Sequence, residues 1–317
     1  MTHPTLRQMR TYLAILETGS VSAAARSLGL TQPAASQQLH ELERQLGLRL
    51  TDRAAGRAMP TAAGQALVAP ARRALAAADE MVAAAMAHRA GDAGRVRLGA
   101  GATACIYLLP PALAAVKRRL PGIDLAVATG NTADIVRRVE DGELDLALVT
   151  LPVLRSRSLL VTHLLTDPLV ALVPDGMPLA GGAAALRPAD LVRLPLILYE
   201  AGGNVRRLVD GWFGRAGVTP RPAMELGNVE AIKGLVGSGL GCSILPSLAL
   251  RDGVPGAALV TLQPALTRDL ALVLRKEKVI DRGLRAMLDE MEALAKAFPE
   301  PGRGPPQRPR SSPKRRP

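Results

Sequence analysis

Ser36, Gln37, His40 and Arg44 fall at intervals that bring them to one surface of a helix. Glutamine and serine near the start of such a helix can hydrogen-bond the edges of bases, and arginine can hold phosphate. The opposite stripe, Ala35, Leu39, Leu42 and Leu46, is apolar at helical spacing and should face a core. Thr31 can cap the helix through its hydroxyl. Pro33, in the first turn, lacks only an amide hydrogen that would be unpaired anyway.

These side chains need a scaffold, and the flanking residues supply one. In SVSAAARSLGL, Ala23, Ala24 and Ala25 make a short helix small enough for its partner to approach closely. Leu28 gives it an apolar end, and Gly29 suits the left-handed geometry that stops a helix. Upstream, Leu6, Met9, Leu13 and Leu16 predict a third amphipathic helix completing the core. Segment 47–60, GLRLTDRAAGRAMP, places Arg49, Arg53 and Arg57 around a turn-forming Ala-Gly and reads as a basic two-stranded wing. Any small helical bundle has a polar face, so a bundle that serves assembly alone is the competing interpretation.

The whole word is more specific than its spacing. LRQMRTYLAILETGSVSAAARSLGLTQPAASQQLHELERQLGLRL resembles the N-terminal domain of LysR-type transcriptional regulators, and the match continues through the wing and TAAG, over roughly the first 90 residues. The resemblance implies a winged helix-turn-helix whose second helix enters the major groove of an operator with dyad symmetry. Gln32, Pro33, Ser36 and Gln37 match the family's DNA-facing positions, and Arg53 matches a phosphate contact. With Thr31 at the cap and His40 a turn further on, the expected contact set is Thr31, Gln32, Pro33, Ser36, Gln37, His40 and Arg53. Two positions depart from the family: Thr51 stands where Phe is usual, and Pro60 where Leu is usual. The first should weaken wing packing; neither removes a contact residue.

Composition is consistent with this. The chain has 317 residues and a formal charge of +12, which suits a polyanionic partner. Half of that excess is one tail, Arg303, Arg308, Arg310, Lys314, Arg315 and Arg316, in PGRGPPQRPRSSPKRRP. Rich in Pro and Gly, residues 301–317 should be a basic disordered tail, either a dispensable solubilising extension or a nonspecific attraction to DNA. No stretch of about 18 uncharged apolar residues spans a membrane, no basic-then-apolar leader is evident, and the expected location is cytoplasmic. Two cysteines, Cys105 and Cys242, are too few for a disulfide framework.

Residues 62 to about 90 read as one long alanine-rich helix. Ala71, Leu75, Ala78, Val82 and Ala85 form a short heptad seam that would pair two reading heads as a dimer. The alternative is packing on its own domain. Pro70 predicts a kink or slight break, and residues 90–94 a hinge.

Beyond the hinge, apolar strands alternate with helices. RVRLGAG, IDLAVAT and LDLALVT are strands, and YLLPPALAAVKRRLP and TADIVRRVEDG are helices. A second block from about 163 holds strands LVALVP, LILY, PAMEL and GCSIL, with helices within 204–217 and over NVEAIKGLVGSG. DLALVLRK and a helix over about 280–298 return to the first block. Such alternation predicts a parallel sheet covered on both faces. The expected fold class is α+β multidomain. It comprises an N-terminal winged helix-turn-helix (1–60), a linker helix (61–92) and a two-lobed α/β effector domain resembling periplasmic solute-binding proteins (93–300). Lobe I should span about 93–162 and 267–300, and lobe II about 163–266. GELDLALV, LVPDGMPLA and VEAIKGLVGSGLGCSILP resemble the LysR-type effector domain.

In such sheets ligands sit beyond the carboxyl ends of strands, at helix N-termini. Four turns qualify, contributing Thr103 and Ala104, Asn131 and Thr132, Gly203 and Asn204, and Asn228 and Glu230. Each could equally be plain helix capping; together they match the family's effector pocket and suggest a small polar or anionic ligand. No cofactor is expected. Cys105 sits at one of those helix starts, where a thiolate would be stabilised, so a redox role with Cys242 is conceivable, although buried structural cysteine is the commoner case. Enzyme readings fare badly. His3, His40, His88 and His163 are scattered, no GxSxG elbow or P-loop occurs, and the acid pairs Asp141 with Glu143 and Asp289 with Glu290 belong on solvated faces. The expected protein is therefore a transcriptional regulator that is not an enzyme. Its expected partners are double-stranded promoter DNA, a small effector, RNA polymerase and a second copy, as a homodimer or homotetramer. A small-molecule-binding protein with an assembly bundle is the rival.

Overall fold

The computed structural model describes residues 3–54, 57–90, 94–154, 156–177 and 185–298. Three helices open the chain: α1 (Leu6–Thr18), α2 (Val21–Ser27) and α3 (Gln32–Leu46). Thr31 caps α3 by accepting from Ala34 N at 3.4 Å. Gly29, at φ +65°, ends α2 and lets Leu30 N reach back to Ala25 O at 2.8 Å. Ala24, Ala25 and Ala35 are buried between α2 and α3, so the two helices approach closely. Beneath them Tyr12, Leu13, Ile15, Leu39, Leu42 and Leu50 form one core.

Of the expected stripe on α1, Leu13 is buried and Met9 and Leu16 pack on the core, but Leu6 does not join it. Leu6 is 43% exposed, whereas Tyr12 and Ile15 are buried together with Gln8 and Thr11. Those polar groups tolerate burial because they are satisfied. Gln8 exchanges capping bonds with Thr5, and the Thr11 hydroxyl donates to Gln38 Oε1 on α3 at 2.5 Å. The bulkier Tyr12 and Ile15 can therefore turn inward.

The wing is an antiparallel pair, β1 (Thr51–Ala54) and β2 (Arg57–Pro60). Glu43 of α3 anchors its base by accepting from Leu50 N at 2.8 Å and Thr51 N at 3.3 Å. Thr61 then donates to Arg49 O and accepts from Gly64 N, which opens α4 (Ala62–Ala90). Gly64 is required there, because a Cβ would sit 2.1 Å from the Leu50 carbonyl oxygen.

Helix α4 continues through Pro70 without the expected break. Pro70 is exposed, so its missing N–H leaves no buried orphan, and Leu67, Val68, Ala71 and Leu75 hold that half of the helix on the α1–α3 core. The first half of the proposed seam thus packs on its own domain. Further along, Met81 and Val82 are 70% and 52% exposed. The side chain of Ala85, most of the 90–94 hinge and the 301–317 tail lie outside the described residues.

The remaining chain builds β3 (Arg95–Ala100), α5 (Ala102–Tyr107), α6 (Leu109–Arg119), β4 (Asp124–Thr129), α7 (Thr132–Glu140), β5 (Leu146–Thr150), β6 (Leu159–Pro174) and β7 (Ala185–Leu186). Then follow α8 (Pro188–Leu191), β8 (Leu196–Tyr199), α9 (Asn204–Arg215), β9 (Pro222–Leu226), α10 (Val229–Gly237), β10 (Ser243–Pro246), β11 (Ala257–Leu262), β12 (Leu266–Arg275) and α11 (Arg282–Lys296). One sheet has the order β4-β3-β5-β12-β6-β11-β7, with β10 also paired to β6; β8 and β9 form a second pair.

Parallel pairing holds for β4-β3-β5 and β8-β9, but β12 is antiparallel to both β5 and β6. The expected all-parallel sheet is therefore mixed. Strand β6 starts at Leu159, well before the expected LVALVP (169–174) and ahead of the block boundary expected near 163, and runs 16 residues. Its Leu159 and Leu165 pack in lobe I, and its Leu169 to Val173 in lobe II. Two strands that serve both lobes must cross between them, which blurs any boundary drawn at one residue. YLLPPALAAVKRRLP is one helix as expected, α6, with Pro110 in its first turn; the short α5 ahead of it, ending at Tyr107, was not expected.

Gly64→Ala should destabilise the N-terminal domain by about 1–3 kcal/mol through overpacking, read as a lowered denaturant midpoint. An unchanged midpoint would mean that the Leu50 carbonyl yields freely.

Candidate nucleic-acid interface and interlobe cleft

Thr31, Gln32, Pro33, Gln37 and His40 are exposed on α3 and Ser36 is half-buried. With Glu41 and Arg44, all but Thr31 line one open trough along the helix. The trough's side chains order one another: Gln37 Nε2 donates to Glu41 Oε1 at 3.0 Å, and Ser36 Oγ lies 3.5 Å from His40 Nδ1. Leu39 and Leu42 anchor the helix from behind. Arg53 pairs with Ala58 across the wing, and its side chain lies outside the described residues.

The four turns of the α/β domain behave differently from one another. Asn131 accepts from Asp134 N at 2.9 Å and donates to Asp134 Oδ2 at 2.7 Å, and Asn228 accepts from Glu230 N at 2.8 Å. Both are exposed helix caps in the plain sense. Thr132 instead donates to Thr150 O at 3.2 Å. Asn204 is buried and donates to the same Thr150 carbonyl and to Pro152 O, while its own oxygen accepts from Arg207. It fastens α9 of lobe II to the end of β5 in lobe I. Ala104 and Thr103 are buried at the start of α5, and Gly203 is half-buried as the cap of α9. Glu230 points outward and pairs with Lys233 at 3.2 Å.

The sequence left several groups of the cleft unnoticed. Lys233 Nζ donates to Tyr107 Oη at 2.8 Å and sits 5.1 Å from that ring's centre, joining α10 to α5 across the lobes. Tyr199, at the end of β8, lies beside Thr103, and burial pushes its phenol pKa up. Where β6 and β12 cross, Asp167 and Arg268 form a fully buried pair at 2.8 Å. Asp167 also accepts from Ser247 Oγ at 2.7 Å and Leu248 N at 3.2 Å. A charged residue within each strand, Asp167 of β6 and Arg268 near the start of β12, was the available signal for that pair. For Tyr107 and Lys233, 126 positions apart, there was none.

Two expectations are overturned. Cys105 was placed where a thiolate would be favoured, yet burial pushes its pKa above the ordinary thiol value. It is the fourth residue of a six-residue helix, and its sulfur faces the Ala100 carbonyl at 3.9 Å, an acceptor rather than free amides. Cys242, in the other lobe's core, is pushed up to about 11. Asp141, expected on a solvated face, is only 6% exposed, and burial raises its pKa. Among the described residues no group of three or more His, Cys, Asp and Glu side chains could hold a metal, and no helix is long and apolar enough to cross a membrane.

Two family models match this architecture. Residues 6–65 match the bacterial regulatory helix-turn-helix protein of the lysR family, and residues 89–296 match the LysR substrate binding domain. The chain belongs to the LysR family of transcriptional regulators. It is 33% identical over 302 residues to the HTH-type transcriptional regulator CbbR of Xanthobacter flavus, covering 93% of this chain and 90% of that one. Among solved structures, it shares its fold with a full-length OxyR variant from Pseudomonas aeruginosa (TM-score 0.71, 24% identity, 93% and 96% covered). It also shares it with full-length CbnR in complex with its target DNA (TM-score 0.66, 24% identity, 92% and 99% covered). The chain is thus a LysR-type DNA-binding regulator with an effector-binding domain, and its family is one of regulators rather than enzymes.

At pH 7 the Cys105 thiol of this regulator should alkylate more slowly than a free model thiol, with a rate still rising above pH 9. Iodoacetamide labelling followed by mass spectrometry checks this, and a fast reaction at neutral pH would restore the thiolate reading.

Proposed function

We propose that this regulator reads operator DNA through Thr31, Gln32, Pro33, Ser36, Gln37 and His40 of α3 in the major groove, with Arg53 of the wing on phosphate. The observation that supports this is the division of α3 itself. Its apolar side is fixed in the core, while the polar side makes hydrogen bonds only within its own helix among the described residues. One head covers a half-site, so two copies would bind together, paired through the outer part of α4 where Met81 and Val82 are bare. A tetramer through the α/β domains and contact with RNA polymerase complete the model, in the cytoplasm. The working division is 1–60 for DNA reading, 61–92 for the linker and 93–300 for effector binding. Lobe I is about 93–162 with 267–300, lobe II about 163–266, and 301–317 a separate tail.

The effector would be small and polar or anionic, held between the lobes near Thr103, Ala104, Thr132, Gly203 and Asn204. Asn131, Asn228 and Glu230 would lie at its rim. To act at all, it must bind two lobe arrangements with different affinity.

Gln37→Ala should weaken operator binding about ten- to a hundredfold, and Arg53→Ala should weaken all duplexes alike while lowering the salt slope by about one. Unchanged affinity in a folded dimer would favour the assembly-bundle reading instead. Thr103→Val should blunt the effector response while leaving effector-free DNA binding nearly intact, as measured by footprinting. Loss of both would make Thr103 a folding residue.

A further inference from the structure

The buried acid loop after α7 meets the linker helix, and Arg72 of α4 is the meeting point. Arg72 Nη1 lies 2.7 Å from Glu143 Oε1 and 4.0 Å from Asp141 Oδ2, while Nη2 lies 3.6 Å from Glu17 Oε1 on α1. Arg138 braces the other oxygen of Glu143 at 3.0 Å. One turn along α4, Ala76 packs on Gly142 so closely that a Cβ there would sit 2.5 Å away, and Gly142 holds φ +78°. Arg275 fastens the same loop from within the lobe, donating to Val139 O at 2.9 Å and Leu144 O at 3.3 Å. One arginine therefore touches the helix-turn-helix, the linker and lobe I at once.

We propose that Arg72 and the 141–143 loop form a latch fixing the DNA-reading head to lobe I, with α7 as the rod that connects the latch to the interlobe cleft. Helix α7 is nine residues, about 13 Å, long. Its last turn leads into Asp141, and its first residue, Thr132, holds the Thr150 carbonyl that Asn204 of lobe II also holds. A change in lobe closure therefore reaches α7 directly. Ile135, Val136 and Val139 are buried along the helix, so it moves as a unit. The latch can open because Arg72 and Glu143 are 27% and 28% exposed, and water takes over from each partner when they part. The latch stands on these contacts; its use by an effector rests on the cleft reading above.

Hydrogen exchange of the full chain, without DNA or effector, tests both parts and is independent of that reading. Arg72→Gln and Glu143→Gln should each raise amide exchange around Arg72 and over 138–146 about fivefold, and the double variant should add nothing further. No change, or effects that multiply, overturns the latch. Should Arg72→Gln unfold, Glu143→Gln alone decides, since Glu143 lies outside every core cluster. Thr132→Val, at the far end of α7, should raise exchange over 141–143 at least about twofold. Unchanged exchange there overturns the rod.

Discussion

Leu39 and Leu42 are buried in the core they share with Tyr12, Leu13 and Ile15 of α1 and Ala24 of α2, and Ala35 is buried on the same side, which fixes the rotation of α3. A helix so anchored must show its remaining side to whatever lies outside, and that side carries Gln32, Ser36, Gln37, His40 and Arg44. The contact between two alanine-lined surfaces is what makes the geometry tight, because small side chains bring backbones close and a close backbone cannot roll. The wing follows from the same anchoring, since Glu43 on that helix holds the amides from which β1 begins. Reading face and wing are consequently one rigid body, set by a handful of apolar contacts behind them.

The α/β domain solves a different problem, that of two cores sharing one sheet. Strands β6 and β12 contribute to both, and the Asp167–Arg268 pair sits where they pass from one to the other. A buried ion pair is a poor source of net stability, but removing one partner would leave a bare charge at a cost of about 3–5 kcal/mol. The crossing is thereby held in one register. Relative motion of the lobes must then be taken up elsewhere, in the bonds of Asn204 and Lys233 that join one lobe to the other.

Local patterns were legible where local physics decides. The cap at Thr31, the stop at Gly29, the wing and the strand–helix alternation of lobe I all stand in the chain as written. Long-range facts were not. Nothing near Asp141 announces that α4 covers it, because the covering residue is Arg72, 69 positions earlier by numbering. Leu6 misled because hydropathy ranks leucine above a threonine, yet Thr11 found a partner on α3 and went inside. The four candidate turns were found as turns. Whether an asparagine there caps its own helix, as Asn131 does, or reaches into the other lobe, as Asn204 does, depends on chain geometry that spacing does not encode.

Asn204 carries one more consequence. Its amide already has good acceptors in Thr150 and Pro152, so a molecule entering there competes with the chain's own bonds instead of with water. Only the surplus over those bonds can appear as affinity. A site of that kind would trade tightness for leverage, since whatever displaced the amide would also unfasten one lobe from the other.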